Sequence, residues 1–145
     1  MPDKVDFEPP VKVGFSFEKT IQLTKEEIST FAKLSGDMNP LHHNKDRAKS
    51  SRFGSIIASG PQSSALFMGT IATYLAPGFL VMGMRIEGEF LAPIKPNSDL
   101  QIRWIVTSVI PKARLNGYIV TCEGGIYHED EQLFLGIGTC LIVRK

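Results

Sequence analysis

A short stretch near residue 40 places a carboxylate close to an imidazole in the sequence. Asp37 and His42 flank Asn39 and Pro40, directly after Gly36. A carboxylate and an imidazole held on one turn can act together on a water molecule, because one can orient or deprotonate the water while the other donates a proton. We therefore predict that Asp37 and His42 form a catalytic pair on this turn.

A helix must lead into this turn. Thr24 and Glu27 have the spacing of a capping box, in which each side chain bonds to the backbone N–H of the other residue. The apolar residues that follow keep helical spacing; they are Ile28, Phe31, Ala32 and Leu34. Gly36 supplies the residue that commonly ends a helix. We expect Asp37 to lie just past the helix C-terminus.

The turn itself is predicted to be stiff. Pro40 fixes its own backbone and disfavours helical geometry at Asn39. Asn44 is placed to cap a second short helix over residues 45–48. Stiffness matters because two groups that work on one water must be held within a fraction of an ångström.

A third helix is predicted from Ser59-Gly60-Pro61 to Leu75. Proline is favoured in the first turn of a helix, so Ser59 or Gly60 is the expected N-cap, and Ala76-Pro77-Gly78 ends the helix. This segment carries no charged residue. A helix without a charged face is normally buried, so other elements must cover it.

The remaining chain is predicted to supply that cover as strands. An early strand is expected between Lys12 and Leu23, where Phe15 and Phe17 alternate with polar residues. Four later segments are rich in β-branched and aromatic residues and are separated by turn-like sequences: Phe79 to Phe90, Leu100 to Val109, Leu115 to Tyr127 and Leu133 to Val143. These elements favour an α+β domain in which a long antiparallel sheet surrounds one central apolar helix.

The sequence also resembles a known family. The resemblance lies in Gly36-Asp37-x-Asn39-Pro40-x-His42, in Arg52-Phe53-Gly54, in the segment Ile56 to Gly60 and in the segment Phe90 to Pro96. This order and spacing is similar to the hydratase motif of the MaoC-like family, which includes the (R)-specific enoyl-CoA hydratases. The resemblance implies the hot-dog fold, and it implies a lyase that reversibly adds water to trans-2-enoyl thioesters in fatty acid metabolism.

The resemblance also assigns roles to residues. It implies that Asp37 and His42 are catalytic, and that the Gly60 N–H polarises the thioester carbonyl, with Ser59 and Asn39 helping to bind the substrate. Many relatives have His or Gln in place of Ser59 and Met in place of Pro61, and some have Ser in place of Met68. Because proline has no N–H, the oxyanion donor must be the N–H of Gly60 or of Gln62.

Two alternative functions remain open at this point. A thioesterase on the same fold would aim the water at the carbonyl carbon, and a binding protein would hold acyl thioesters without turnover. A metal site is not expected, because the zinc spacings are absent around His42, His43 and Asp46. We interpret His43 as a surface or packing residue and His128 as solvated. No cofactor is expected beyond the CoA or acyl-carrier thioester itself.

Composition sets limits on partners and location. The chain has 145 residues and a formal net charge of +1, so no overall field attracts nucleic acid or an anionic membrane. We expect one domain over residues 1–145, with about residues 1–11 as a loose arm. The N-terminus lacks the apolar segment of a signal peptide. Two cysteines without metal spacing fit buried thiols in the cytoplasm.

Assembly and anion binding complete the expectations. A sheet of this kind leaves strand edges unpaired, which predicts a homodimer or a higher multiple of dimers, with the acyl tunnel near the interface. CoA carries phosphates, so local cations must meet them. The candidates are Arg85, Lys95, Arg103, Lys112 and Arg114.

Overall fold

The structure, a computed structural model, describes residues 4–145. Three α-helices and five strands follow one another along the chain. In order they are β1 (Ser16–Ile21), α1 (Lys25–Leu34), α2 (Lys45–Lys49), α3 (Gly60–Leu75), β2 (Phe79–Phe90), β3 (Leu100–Lys112), β4 (Gly117–His128) and β5 (Glu131–Arg144). Two 3-10 turns are also present, Pro40–His42 between α1 and α2 and Ala113–Leu115 between β3 and β4.

All five strands form one antiparallel sheet in the order β1-β3-β4-β5-β2. Helix α3 packs on one face of this sheet through Phe67, Ile71 and Leu75, each almost fully buried. This confirms the predicted hot-dog architecture of a long sheet curved around one apolar helix. The connection from β2 to β3 and the longer connection from α1 to α3 meet near the N-terminal end of α3, where the Ala58 N–H donates to the Ile94 carbonyl at 2.9 Å.

Glycines on β5 allow α3 to approach the sheet closely. A Cβ atom at Gly136 would lie 3.0 Å from the Phe67 ring, and one at Gly138 would lie 2.5 Å from the Met68 sulfur. Leu135 of β5 lies on the opposite face of the sheet and is 41% exposed. Because its sulfur lies against Gly138, Met68 packs between the helix and the sheet.

The sheet covers only one side of α3. Ala65, Gly69 and Thr73 recur every four residues on the other side and are exposed. Five strands on one face cannot enclose a helix completely. The uncharged helix α3 is therefore partly uncovered, and its outer face is a surface without charge. That surface borders an apolar groove of about 560 Å³ together with Phe17 and Tyr74.

The prediction of a loose N-terminal arm is wrong for residues 4–11, and residues 1–3 lie outside the described part of the chain. Phe7 and Val11 are buried in the core. The Tyr118 hydroxyl donates a hydrogen bond to the Phe7 carbonyl oxygen at 2.5 Å, and the two rings meet edge to face. These apolar contacts hold the arm against the sheet although its prolines keep it out of any strand.

Candidate active site

The end of α1 fixes the position of Asp37. The Asp37 N–H donates to the Ala32 carbonyl at 2.8 Å and the Gly36 N–H donates to the Lys33 carbonyl at 3.0 Å, which together form a Schellman motif. Gly36 has a φ of +78°, a left-handed conformation that glycine adopts without strain. The predicted helix end is confirmed, and the backbone of Asp37 is anchored to the helix.

The turn after Asp37 is held by two side chains. One carboxylate oxygen of Asp37, Oδ1, accepts the Asn39 N–H at 3.0 Å, and Oδ1 of Asn39 accepts the Leu41 N–H at 3.2 Å. Pro40 begins the 3-10 turn that carries His42. The Asn39 side-chain oxygen is thus engaged in bracing the turn, while the second Asp37 oxygen, Oδ2, is directed toward His42.

His42 is buried and its ring orientation is fixed. Its Nδ1 lies 2.7 Å from the Ile57 carbonyl oxygen, and its Nε2 lies 3.3 Å from Asp37 Oδ2. A carbonyl oxygen can only accept, so Nδ1 must carry the hydrogen of this bond. In the neutral ring Nε2 is then an acceptor, next to the acceptor oxygen of Asp37. Such a pair is complementary to one water molecule, which offers two hydrogens.

At the N-terminus of α3, the residues that the structure describes leave the Gly60 N–H free. Ser59 is the N-cap, and the Gln62 N–H donates back to the Ser59 carbonyl at 3.1 Å. Pro61 has no N–H, and the Gly60 N–H has no acceptor within residues 4–145. Of the two donors left open by the sequence, Gly60 is therefore the one available to a ligand oxygen, at the positive end of the helix dipole.

His42 and Gly60 border one cleft of about 470 Å³, which the Asp37 side chain does not line. Asn39, His42 and Gly60 line it, and the Asp37 side chain is 35% exposed beside His42. The walls are largely apolar and come from the loop before α3 and from the connection after β2; they include Phe53, Ile57, Phe90, Leu91, Pro93 and Ile94. A cleft with this lining suits an acyl chain that carries a polar head at the Asp37 and His42 end.

The prediction that Ser59 contacts substrate is not supported by its position. Its side chain is 1% exposed, it does not line the cleft, and its Oγ has no hydrogen-bond partner within the described residues. The extended backbone of the N-cap turns this side chain into the protein. Ser63 lies one helical turn beyond Gly60 and lines the cleft instead. The spacing of three residues from Gly60 was the signal that could have identified it.

The predicted cations fall into three groups. Arg85 pairs with Glu87, and Arg103 pairs with Glu18, so both already have carboxylate partners. Lys112 ends β3 and Arg114 lies in the turn between β3 and β4, at the end of the sheet where α3 ends rather than begins. The fifth predicted cation, Lys95, is exposed and follows Ile94 of the cleft wall. Arg52, which was not among the predicted cations, is also exposed and lines the cleft.

Two further features concern metals and membranes. Within residues 4–145, no three His, Cys, Asp or Glu side chains form a group that could hold a metal ion. His128 bonds through Nδ1 to the Asp99 carbonyl at 2.8 Å, away from the cleft, with 39% of its side chain exposed. No helix in the same part of the chain is long and apolar enough to cross a bilayer.

A comparison of this chain with known proteins identifies its family. Residues 6–123 match the family described as "MaoC like domain", so the chain belongs to that family. The chain is 29% identical over 116 residues to 3-hydroxybutyryl-CoA dehydratase of Methylorubrum extorquens, covering 79% of this chain and 73% of the relative. It is 28% identical over 113 residues to the (R)-specific enoyl-CoA hydratase of Rhodospirillum rubrum, covering 77% of each chain.

A solved structure agrees with the same assignment. The R-hydratase PhaJ1 from Pseudomonas aeruginosa superposes with a TM-score of 0.77 at 26% identity, covering 93% of this chain and 84% of that one. The (R)-hydratase from A. caviae superposes with a TM-score of 0.76 at 20% identity, a likeness that bears on the fold alone. The family resemblance inferred from the sequence is confirmed.

Proposed function

We propose that this protein is an (R)-specific enoyl-CoA hydratase, which reversibly adds water to trans-2-enoyl thioesters and releases (3R)-hydroxyacyl thioesters. The observation that carries the proposal is the distance of 3.3 Å between Asp37 Oδ2 and His42 Nε2, beside a cleft that also contains the free Gly60 N–H. The hydratases and dehydratases among its relatives support the same reaction.

The proposed reaction uses one water molecule held by the pair. The water donates one hydrogen to Asp37 Oδ2 and one to His42 Nε2, and its oxygen attacks the β-carbon of the enoyl thioester. One proton passes from the water to the pair as the C–O bond forms, and the electrons of the double bond move to the thioester oxygen. The pair then returns a proton to the α-carbon. The elements of one water are added, and no oxidant or reductant is needed.

Gly60 stabilises the charge that appears during this step. Attack at the β-carbon produces an enolate on the thioester oxygen, and a preorganised N–H at a helix N-terminus stabilises negative charge there. The donor is in place before the reaction, so no reorganisation is required when the charge develops. The proposed scheme uses no cofactor. The only group that must accompany the acyl chain is the thioester carrier to which it is joined.

Crotonyl-CoA is the direct test of the activity. Hydration removes the conjugated absorbance of the substrate, and chiral separation of the hydroxy acid after hydrolysis identifies the product as R. A thiol reagent in a parallel sample detects free CoA, which a thioesterase would release. Turnover to the R product without thiol release supports the proposal. Thiol release alone, or no turnover with enoyl chains of several lengths, contradicts it.

We further propose that the protein works as a homodimer with its acyl tunnel near the interface. Among the strands that the structure describes, β2 is an edge strand paired only to β5, and four of its apolar side chains are 41–54% exposed: Leu80, Met82, Met84 and Ile86. An exposed edge strand with such side chains is normally covered by another chain. Light scattering at micromolar concentration is expected to give a dimer mass.

A substitution on β2 sharpens the test of assembly. Met84→Glu places a charge in the proposed interface and is expected to lower the mass to that of a monomer. Leu34→Glu changes a side chain that is 84% exposed elsewhere and is expected to leave the dimer intact. A monomer mass for the unaltered protein contradicts the proposal.

We place the protein in the cytoplasm, since its two buried cysteines are free thiols, as a reducing compartment maintains them.

A further inference from the structure

His43 connects the Asp37 backbone to helix α1. It follows His42, yet the two ring centroids are 6.2 Å apart and the ring planes meet at 82°. The ring of His43 points away from the cleft toward α1. Its Nδ1 lies 2.7 Å from Ser29 Oγ, and its Nε2 lies 2.7 Å from the Asp37 carbonyl oxygen. The sequence had indicated only a surface or packing role for this residue.

The partners define the hydrogens on the His43 ring. The Asp37 carbonyl can only accept, so Nε2 carries a hydrogen and donates it. In the neutral ring Nδ1 has a lone pair, and the Ser29 hydroxyl donates to it. Both contacts are half-buried, where hydrogen bonds are less exposed to competition from water. The imidazole therefore joins α1 to the turn through two oriented bonds.

These bonds fix the Asp37 residue at both ends. Its N–H is held by the Ala32 carbonyl, and its C=O is held by His43. With both flanking peptides fixed, the Cα–Cβ bond has one direction, and Oδ2 is directed at His42. A misplacement of about 1 Å in a reacting group can lower a rate about a hundredfold.

We propose that His43 is a positioning residue that sets the Asp37 carboxylate against His42, with Ser29 orienting the His43 ring. The inference rests on the proposed hydratase function, which it deepens. His43 does not line the cleft and contacts the pair only through the Asp37 backbone. It therefore acts on the rate without touching the substrate.

His43→Ala, His43→Gln and Ser29→Ala test this role, with His128→Ala as the matched control. His128 also bonds a backbone carbonyl through its ring, but outside the cleft. Glutamine carries an amide N–H at about the reach of Nε2, so His43→Gln can keep the bond to Asp37. We expect His43→Ala to lower kcat at least about tenfold with KM within about twofold, His43→Gln to restore most of kcat, and Ser29→Ala to fall between them. His128→Ala is expected to keep the unaltered kcat.

A second readout separates this inference from the proposed function. Amide hydrogen exchange at Asp37 and Asn39 is expected to speed up in His43→Ala and to return toward the unaltered rate in His43→Gln, whichever substrate the protein uses. If the unaltered protein hydrates no enoyl thioester while exchange follows this pattern, the proposed reaction fails and the positioning role stands. Unchanged exchange in His43→Ala, or a kcat within about twofold of the unaltered enzyme, overturns the role of His43.

Discussion

His42 Nδ1 lies 2.7 Å from the carbonyl oxygen of Ile57, and this contact joins the two halves of the site. The Ile57 N–H in turn donates to the Leu41 carbonyl at 3.1 Å, so one residue of the loop before α3 is bonded twice to the turn that carries the pair. Gly60 follows Ile57 by three residues. The proposed water site and the proposed oxyanion donor are thereby held at a fixed separation.

Gly60→Ala is predicted to lower kcat/KM at least about tenfold without unfolding the protein. A Cβ atom at this position would lie 2.9–3.1 Å from three carbons of the Phe90 ring. Phe90 is 60% exposed, so its ring can move aside and the fold survives, but the cleft wall shifts. Steady-state kinetics provide the measurement. Adding Phe90→Ala to Gly60→Ala removes the clash and is expected to recover part of the loss; full activity in Gly60→Ala alone would refute the prediction.

Gly36→Ala is predicted to lower both the free energy of unfolding and kcat. Its φ of +78° disfavours a side chain by about 1 kcal/mol, although the space around it is open. Gly14, with a φ of +94° and equally open surroundings, is the matched control outside the site. Denaturant titration is expected to show similar destabilisation in Gly36→Ala and Gly14→Ala. Only Gly36→Ala should reduce kcat, because Gly36 forms the Schellman turn before Asp37 and Gly14 does not. Equal effects of the two substitutions on kcat would contradict this prediction.

Stability is predicted to fall at high pH because of the buried cysteines. Burial raises the pKa of the Cys122 thiol from 9.0 to about 12, with a smaller contribution from Cys140, whose own pKa burial also raises. The unfolded chain loses these protons at lower pH than the folded chain. The free energy of unfolding is thus unaffected by them below about pH 9 and falls as the pH rises from 9 toward 12. Denaturant titrations at several pH values should show that the free energy of unfolding falls less steeply with pH in Cys122→Ala than in the unaltered protein. Identical slopes would contradict the assignment of this fall to Cys122.

Arg52 and Lys95 are predicted to contact the phosphates of the thioester carrier. Both are exposed beside the cleft, whereas Lys112 lies at the far end of the sheet and serves as the control. Arg52→Ala and Lys95→Ala should each raise KM for crotonyl-CoA about two- to fivefold at low salt, with a smaller effect at high salt. KM for crotonyl-N-acetylcysteamine, which has no phosphate, should not change. An equal rise for both substrates, or for Lys112→Ala, would reject the phosphate contact.

Local sequence rules predicted the framework of the site. The capping box of Thr24 and Glu27 is present with both bonds, Gly36 ends α1, and Asn44 caps α2 through the Arg47 N–H. Each of these features depends on residues within a few positions of one another, where backbone geometry follows from residue type. The boundaries of β2 were also predicted without error, because Pro77-Gly78 and the end of the apolar run mark them.

Features that depend on distant contacts were not predictable. Phe7 is buried against Tyr118, 111 residues away, so the arm looked loose in sequence. Ser59 and Ser63 look alike as small polar residues near the helix start, and the spacing of Ser63 from Gly60 becomes informative only when Ser59 is known to be the N-cap. The ring contacts of His43 depend on how α1 and the turn pack, which no short motif encodes.

The shared action of Asp37 and His42 on one water is tested most directly by comparing kcat for crotonyl-CoA hydration in Asp37→Asn, His42→Ala and the double variant. Asp37 lies on a braced turn outside the core, and thermal melting checks that each variant remains folded. Each single substitution is expected to lower kcat at least about a hundredfold. The double variant is expected to be hardly slower than either single variant, because one water loses its two partners as a unit. Losses that multiply, or a folded His42→Ala that retains most of its activity, would contradict the account.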